Sequence, residues 1–170
     1  MNADGIGRAL KRMAHEILER ARGGELAIVG IRRGGVHLAE RLRQELAKTT
    51  GQQPLLGTLD ITLYRDDLSE LASAPVVGPT DIRFPVTGKT VVLVDDVIYT
   101  GRTVRAAMNE LFDYGRPRSI ALVVLADRGG RQLPIAAQHA GAVVQVPADK
   151  RLRLNRADDG RLSLELADGG

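Results

Sequence analysis

The chain has 170 residues and a formal net charge of +3, which is enough for one domain with a buried core. It contains no cysteine, and this excludes a disulfide framework, a thiolate nucleophile and a cysteine-ligated metal. The longest apolar run, residues 120–126, is too short to span a bilayer, and residues 1–16 lack a signal-peptide core, so we expect a cytoplasmic protein that does not enter membranes.

The first predicted element is an amphipathic helix over residues 4–22. Its apolar face is formed by Ile6, Leu10, Met13 and Ile17, which recur at helical spacing. The opposite face carries a mostly basic stripe that consists of Arg8, Lys11, Arg12, His15, Glu19 and Arg22. Two glycines at 23–24 end the helix.

Strands and helices alternate through the rest of the chain. Continuous apolar runs or strand-like composition predict strands over residues 26–31, 55–64, 90–97, 119–126 and 142–146. Helical spacing predicts further helices over residues 36–48 and 102–113. This alternation indicates an α/β protein with a mostly parallel central sheet flanked by helices.

Two segments depart from the alternation. Residues 65–88 hold three prolines and two glycines without a sustained period, and a connection of that length is usually functional or disordered. Residues 151–166 alternate around Asp158-Asp159-Gly160, which predicts a C-terminal β-hairpin. Neither a repeat nor a linker interrupts the chain, and we therefore expect a single domain over residues 1–170.

The strongest chemical signal follows the strand at 90–97, where Asp95 and Asp96 precede a short turn and a helix start. Parallel sheets bind ligands at the carboxyl ends of their strands, and a helix N-terminus offers free N–H groups to a phosphate. Thr100 and Thr103 add hydroxyl donors, while Gly101 permits a close backbone approach. Two carboxylates beside such a cradle suit vicinal hydroxyls or Mg²⁺, so the pattern favours a sugar phosphate. The alternative is a strand whose terminal acids merely cap the next helix.

Four segments, in order, carry a family resemblance. They are RMAHEILER at 12–20, DITLYRDDLS at 60–69, VDDVIYTGRTVRA at 94–106 and DRGGRQLPI at 127–135. Together they resemble the family of pyrimidine operon attenuators and uracil phosphoribosyltransferases (PyrR), across essentially the whole chain. The resemblance implies a type I phosphoribosyltransferase fold with a flexible lid loop and the C-terminal hairpin. It also implies a reaction in which uracil and 5-phosphoribosyl 1-diphosphate (PRPP) give UMP and pyrophosphate.

The resemblance assigns roles to two loops. The segment expected to bind PRPP comprises Asp95, Asp96, Val97, Ile98, Tyr99, Thr100, Gly101, Arg102 and Thr103, with the acids on the ribose hydroxyls. The expected pyrophosphate loop is residues 31–35, with Arg32, Arg33 and Gly34. Mg²⁺ is expected as the cofactor, bound mainly through PRPP, with no direct metal site on the protein. Catalysis would rest on positioning and charge stabilisation, because an oxocarbenium-like transition state needs no protein nucleophile.

Further residues are expected around the same site. Residues 65–88 fit a lid that excludes water, with Tyr64 and Arg65 at its base reaching PRPP. Asp127 and Arg128 are expected at the edge of the base site, although the pair is equally compatible with an ordinary salt-bridged strand end.

The second role implied by the family is UMP-promoted binding to a hairpin in the leader of a pyrimidine operon mRNA. Lys11, His15, Arg20 and Arg131 are the candidate RNA-binding residues. The alternative is that the basic stripe is a solvated helix face, and the chain has Gly130, Ala136 and Ala142 where the family commonly has basic residues. A homo-oligomer, a dimer or larger, is also implied. The alternative function is a salvage phosphoribosyltransferase for uracil or a purine base without RNA binding.

Overall fold

The structure is a computed structural model that describes residues 1–21, 23–64 and 78–169. Its helices are α1 (Ala3–Arg20), α2 (Gly34–Thr50) and α3 (Arg102–Asp113), and a 3₁₀ turn covers Thr62–Tyr64. Its strands are β1 (Leu26–Ile31), β2 (Leu55–Leu59), β3 (Thr90–Ile98), β4 (Ser119–Asp127), β5 (His139–Val143), β6 (Lys150–Arg156) and β7 (Leu162–Asp168). None of the helices within these described ranges is long and apolar enough to cross a membrane.

Five strands form a parallel sheet in the order β2-β1-β3-β4-β5, and β6 pairs with β7 as an antiparallel hairpin. The predicted α/β architecture with a parallel sheet and a C-terminal hairpin is therefore confirmed. The chain moves outward from β1 to β2 and then returns to the other side of β1 with β3. This reversal opens a crevice at the carboxyl ends of β1 and β3, which is where open α/β sheets bind ligands.

Helices cover both faces of the sheet because its inner strands are apolar on both sides. On one face, α1 and α2 pack with the hairpin, and the predicted apolar residues of α1 are all buried. On the other face, α3 packs through Val104, Ala107 and Leu111. The buried side chains of Leu162 and Leu164 attach the hairpin to the α1–α2 side.

The strand predicted over residues 55–64 is wrong beyond Leu59. The Oδ1 atom of Asp60 accepts a hydrogen bond from the backbone N–H of Thr62 at 2.8 Å and another from the Thr62 hydroxyl. This side-chain turn diverts the chain into the 3₁₀ turn, as Asx turns commonly do.

The strand predicted over residues 142–146 is also misplaced, since β5 begins at His139 and ends at Val143. His139 is only 3% exposed, and its Nδ1 atom lies 2.9 Å from Oε2 of Glu16 on α1. Gly141 lies so close to the Leu125 carbonyl and to Ala9 that a side chain would not fit. The polar His139 and the small Gly141 therefore occupy inward positions of β5. A search for apolar runs does not detect a strand with such residues.

The segment predicted as a lid over residues 65–88 is partly packed. Residues 65–77, including Arg65, lie outside the described residues. Farther along, Asp81 forms an antiparallel bridge with Thr58 at the edge of the sheet. The next apolar side chains pack in or against the core on the α3 side. They are Ile82, Phe84 and Val86. This part of the segment is therefore held against the core by apolar burial.

Candidate functional site

A cavity of about 640 Å³ opens at the carboxyl ends of β1 and β3, in the crevice created by the chain reversal. The predicted residues that line it are Arg32, Arg33, Gly34, Asp95, Asp96, Val97 and Thr103. The structure thus brings the acidic pair, the predicted pyrophosphate loop and the first turn of α3 around one space. The remaining lining comes from Asp60, Ile61 and Thr62 and from residues 152–154 of the hairpin.

The acidic pair is built into the end of β3. Asp95 is 6% exposed, and its Oδ1 atom accepts a hydrogen bond from the Asp96 backbone N–H at 2.9 Å. The Oδ1 atom of Asp96 accepts from the Val97 N–H at the same distance. Burial, reinforced by the charge of Asp96, raises the pKa of Asp95 well above its ordinary value. The pair therefore combines one half-buried carboxylate that faces the cavity with one carboxyl group that resists ionisation.

Glycines let the start of α2 approach this pair closely. A Cβ atom on Gly34 would collide with the carboxylate of Asp96, and one on Gly35 would collide with the carbonyl oxygen of Val94. Both glycines are therefore required by close packing of the loop against β3.

The loop between β1 and α2 is fixed at several points. The Arg32 N–H donates to the Leu59 carbonyl at 2.8 Å, and its Nε–H donates to the Pro79 carbonyl at 2.9 Å. The peptide bond between Arg32 and Arg33 is cis. Within the described ranges, no side chain caps the start of α2, where the Val36 N–H donates to the Arg33 carbonyl at 3.3 Å. An uncapped helix N-terminus of this kind is suited to an anion.

The turn before α3 is braced by a later loop. Gly101 has φ of +92°, a conformation that favours glycine, and the Arg102 N–H donates to Thr100 Oγ1 at 3.3 Å. The Thr100 carbonyl accepts hydrogen bonds from the N–H groups of Gln132 at 2.9 Å and Leu133 at 3.1 Å. The helix N-terminus and the Thr103 hydroxyl are thus held beside the cavity.

Arg131 organises the loop that follows β4. Its guanidinium forms an ion pair with Asp127 at 2.6 Å and also donates to the carbonyls of Tyr99 and Ile135. Burial by itself raises the pKa of Asp127, but hydrogen bonds from Arg131 and from the Gly129 N–H, with the charge of Arg131, lower it below its ordinary value. Asp127 is therefore paired with Arg131 at the end of β4, and not with Arg128.

Tyr99 and Arg128 meet outside the cavity lining. The guanidinium carbon of Arg128 lies 4.2 Å from the centroid of the Tyr99 ring, within the range of a cation–π contact. Gly130 lies against the same ring, where a Cβ atom would collide with it. Tyr99 is 49% exposed, so its ring is accessible to solvent, whereas Arg128 is half-buried.

Two residues predicted to bind PRPP point elsewhere. Ile98 is 1% exposed, belongs to the core on the α3 side and does not line the cavity. The Tyr64 hydroxyl donates to Asp113 on α3, and that bond raises the pKa of Tyr64. Tyr64 lines a separate cavity of about 370 Å³ together with Glu110.

Asp60 is a cavity residue that sequence reasoning did not assign. Its carboxylate accepts hydrogen bonds from Thr62 and from the Gly78 N–H. Burial alone raises the pKa of Asp60, whereas these bonds and the nearby Arg32 charge bring it below its ordinary value. An aspartate two residues before a threonine at a strand end signals an Asx turn and could have identified this site.

The basic residues predicted to contact RNA are split between two environments. Lys11, His15 and Arg20 are exposed on α1. Arg12, from the same stripe, bonds to Glu16 at 2.5 Å and to the carbonyls of Ala140 and Gly141. Arg131 uses its donors within the loop described above.

Comparisons with known proteins agree with this geometry. The model of the phosphoribosyl transferase domain family matches residues 2–151. A bifunctional protein PyrR from Pelotomaculum thermopropionicum is 57% identical over 152 residues, covering 89% of this chain and 83% of the relative. A bifunctional protein PyrR from Thermus thermophilus is 49% identical over 170 residues, covering 99% and 90%.

Among solved structures, a hypoxanthine phosphoribosyltransferase from Trypanosoma cruzi superimposes with a TM-score of 0.68 at 23% identity. The match covers 85% of this chain and 79% of that one. A hypoxanthine-guanine phosphoribosyltransferase from Bacillus anthracis gives a TM-score of 0.65 at 18% identity, covering 84% and 80%. At these identities the likeness concerns the fold.

Proposed function

Because the chain belongs to the phosphoribosyltransferase family, and within it to the PyrR proteins, we propose that it transfers a phosphoribosyl group from PRPP to uracil. The observation that carries this proposal is the single cavity between Asp96, the start of α3 and the arginines of the loop before α2. Asp96 can accept hydrogen bonds from the ribose hydroxyls, the start of α3 can hold the 5′-phosphate, and the arginines can bind the pyrophosphate. PRPP presents these three groups.

In the proposed reaction, the bond between C1′ of PRPP and its pyrophosphate oxygen breaks with its electron pair on that oxygen, C1′ bonds to N1 of uracil, and N1 loses its proton to solvent. Mg²⁺ bound to PRPP would supply neutralising charge to the pyrophosphate, and carboxylate oxygens such as those of Asp60 and Asp96 in this cavity suit Mg²⁺. Asp96 and Asp95 accept hydrogen bonds from the ribose hydroxyls and hold the ring in place. The negative charge of Asp96 lies beside the sugar and stabilises positive charge that develops on it.

The remaining groups orient the two ends of PRPP. The N-terminal turn of α3, with the hydroxyls of Thr100 and Thr103, holds the 5′-phosphate. Arg32 and Arg33, with the open N-terminus of α2, hold the pyrophosphate that leaves. Since Arg32 and Thr100 are both fixed by backbone carbonyls or N–H groups, little reorganisation is needed on binding.

Incubating the purified protein with uracil, Mg²⁺ and PRPP, and separating products by chromatography, tests this proposal. We expect UMP and pyrophosphate in equal amounts, and we expect Asp96→Asn to lower the rate strongly. A protein that forms no UMP above the protein-free blank would refute the uracil activity. Faster turnover of hypoxanthine than of uracil would instead favour a purine salvage enzyme.

We also propose that the protein binds the leader hairpin of a pyrimidine operon mRNA, with UMP promoting the binding. The exposed side chains of Lys11, His15 and Arg20 on α1 support this second function. Aromatic residues form only 3% of the chain, so contacts to RNA phosphates are favoured over base stacking.

Filter binding of the leader RNA with and without UMP tests the RNA proposal. Lys11→Ala and His15→Ala should weaken RNA binding and leave UMP synthesis unchanged. Arg116→Ala is the matched control, because Arg116 is an exposed cation that precedes the amino end of β4. The proposal would be contradicted if UMP did not increase RNA binding, or if all three variants weakened RNA binding equally.

A homo-oligomer is proposed as the working assembly. Phe112 on α3 is 53% exposed, and Leu63 and Tyr114 are exposed at 61% and 42%. Light scattering after size exclusion should give a multiple of the 18.3 kDa chain mass. A monomer mass at assay concentrations would contradict it.

A further inference from the structure

One cation in the cavity belongs to neither predicted loop. Arg153 lies in β6 of the C-terminal hairpin, and it lines the same cavity as Arg32 and Arg33. It lies just beyond residues 2–151, the part of the chain that the family model matches. The cavity therefore has a third arginine, contributed by an element that sequence reasoning treated only as a hairpin.

The hairpin holds the backbone of this residue firmly. Leu152 and Leu154, on either side of Arg153, pack against the core shared with α1 and α2. The turn of the hairpin is attached to α2 as well, since the Arg41 guanidinium donates to the Gly160 carbonyl at 2.6 Å. Because successive side chains of a strand alternate, two apolar anchors leave the intervening arginine on the solvent side.

Arg153 is not engaged by the carboxylate that faces it in the hairpin. In the ladder it lies opposite Glu165. The two oxygens of Glu165 accept hydrogen bonds from Ser163 at 2.8 Å and from Asn155 at 3.1 Å. Within the described part of the chain, Arg153 is exposed and has no ion pair, so its charge is available to a ligand.

The charges around the cavity indicate which ligand group this arginine would meet. Arg32, Arg33, Arg153 and the N-terminus of α2 are positive, whereas the carboxyl groups come from Asp60 beside Arg32 and from Asp95 and Asp96 at the end of β3. A guanidinium binds phosphate oxygens through paired N–H donors, and a pyrophosphate offers two phosphoryl groups to several such donors.

We propose that Arg153 is a third pyrophosphate-binding residue, which contacts the diphosphate of PRPP and the pyrophosphate that leaves. The inference rests on the proposed function, because it assumes that PRPP occupies this cavity. It makes the C-terminal hairpin a contributor to the active site in addition to its structural role.

The test compares Arg153→Ala with Arg151→Ala by calorimetric titration of Mg²⁺–pyrophosphate, Mg²⁺–PRPP and UMP. Arg151 is the matched control: it is an exposed arginine two residues away on the same face of the same strand, and it does not line the cavity. We expect Arg153→Ala to weaken pyrophosphate and PRPP binding about tenfold, the loss typical of one charge-assisted hydrogen bond. UMP carries no pyrophosphate, so its affinity should not change, and Arg153→Lys should restore part of the loss.

Each result of these titrations supports or contradicts the role of Arg153. Pyrophosphate affinity that is unchanged in Arg153→Ala, or equally reduced in Arg151→Ala, would overturn the role of Arg153 while wild-type UMP synthesis still supports the proposed function. Equal losses for UMP and pyrophosphate would also overturn it, because they would indicate a general effect of charge. If the wild-type protein neither binds PRPP nor makes UMP, the proposed function fails and this inference fails with it.

Discussion

Asp95 lies where burial of its carboxyl group lowers the stability of the folded protein, and the proposed reaction uses that position. Its carboxyl group is buried next to Asp96, and both burial and the neighbouring charge raise its pKa. Ionisation of Asp95 therefore opposes folding, while its position at the end of β3 is the one that the proposed function needs beside the sugar. Residues held in costly environments are typical of functional sites.

Asp95→Asn should accordingly make the protein more stable at neutral pH and less active. The raised pKa means that the folded state binds more protons than the unfolded state between pH about 4 and the folded pKa. Stability that depends on this group is therefore lost as pH rises through that window. Urea unfolding from pH 4 to 8 should show the advantage of the variant growing with pH to a plateau.

The control for this measurement is Asp158→Asn, in the exposed turn of the hairpin. We expect its stability to follow the wild-type curve. A wild-type advantage over Asp95→Asn at pH 7 would contradict the assigned direction of the pKa.

Gly34 controls the position of Asp96, because any side chain there meets the Asp96 carboxylate. Gly34→Ala should force that carboxylate to rotate, so we expect a PRPP KM raised by about tenfold with a folded protein. Steady-state kinetics with varied PRPP measure the effect. Gly7→Ala is the control, since no atom lies within 4 Å of the added Cβ atom. Equal KM values in both variants would show that Asp96 can shift without loss.

At the scale of elements, the hairpin is held by a few buried leucines. Leu164 is 5% exposed within the α1–α2 core, and its backbone exchanges hydrogen bonds with Met1. Leu166 lies on the same face of β7 but is 59% exposed. The burial of one leucine and the exposure of the other provide an internal comparison.

Leu164→Ala should reduce the free energy of unfolding by about 2–4 kcal/mol, because it leaves a cavity in the core. Leu166→Ala should cost well under about 1 kcal/mol, as expected for an exposed surface position. Chemical denaturation of the two variants measures the difference. Similar losses in both would mean that the hairpin is not anchored through this core.

The elements also show where local sequence reasoning succeeds. β1, β3 and β4 are continuous apolar runs, and α3 has clear helical spacing, so their positions could be predicted. β2 was extended too far because the turn made by Asp60 depends on a side-chain hydrogen bond. β5 was misplaced because a buried His139 paired with Glu16 depends on a helix more than a hundred residues away.

At the scale of the molecule, the site joins segments from both ends of the chain. The acidic pair and the start of α3 are contiguous in sequence, which is why strand, acids, turn and helix predicted that half of the cavity. Asp60 and Arg153 reach the cavity only through the sheet order and the packing of the hairpin. These long-range relations leave no local pattern in the sequence.

The molecule also separates its two proposed functions in space. The cavity lies at the carboxyl edge of the sheet, whereas Lys11, His15 and Arg20 lie along the outer surface of α1. The +3 net charge conceals this distribution, because arginines near the cavity are balanced by its carboxylates. Variants of α1 should therefore weaken RNA binding and leave catalysis unchanged.

The most direct test of the central claim is a calorimetric titration of Mg²⁺–PRPP into the wild-type protein, Asp96→Asn and Asp158→Asn. We predict one PRPP site per chain in the wild type and in Asp158→Asn, with binding to Asp96→Asn weaker by at least about tenfold. An absence of PRPP binding, or equal affinity in all three proteins, would contradict the assignment of this cavity as the PRPP site.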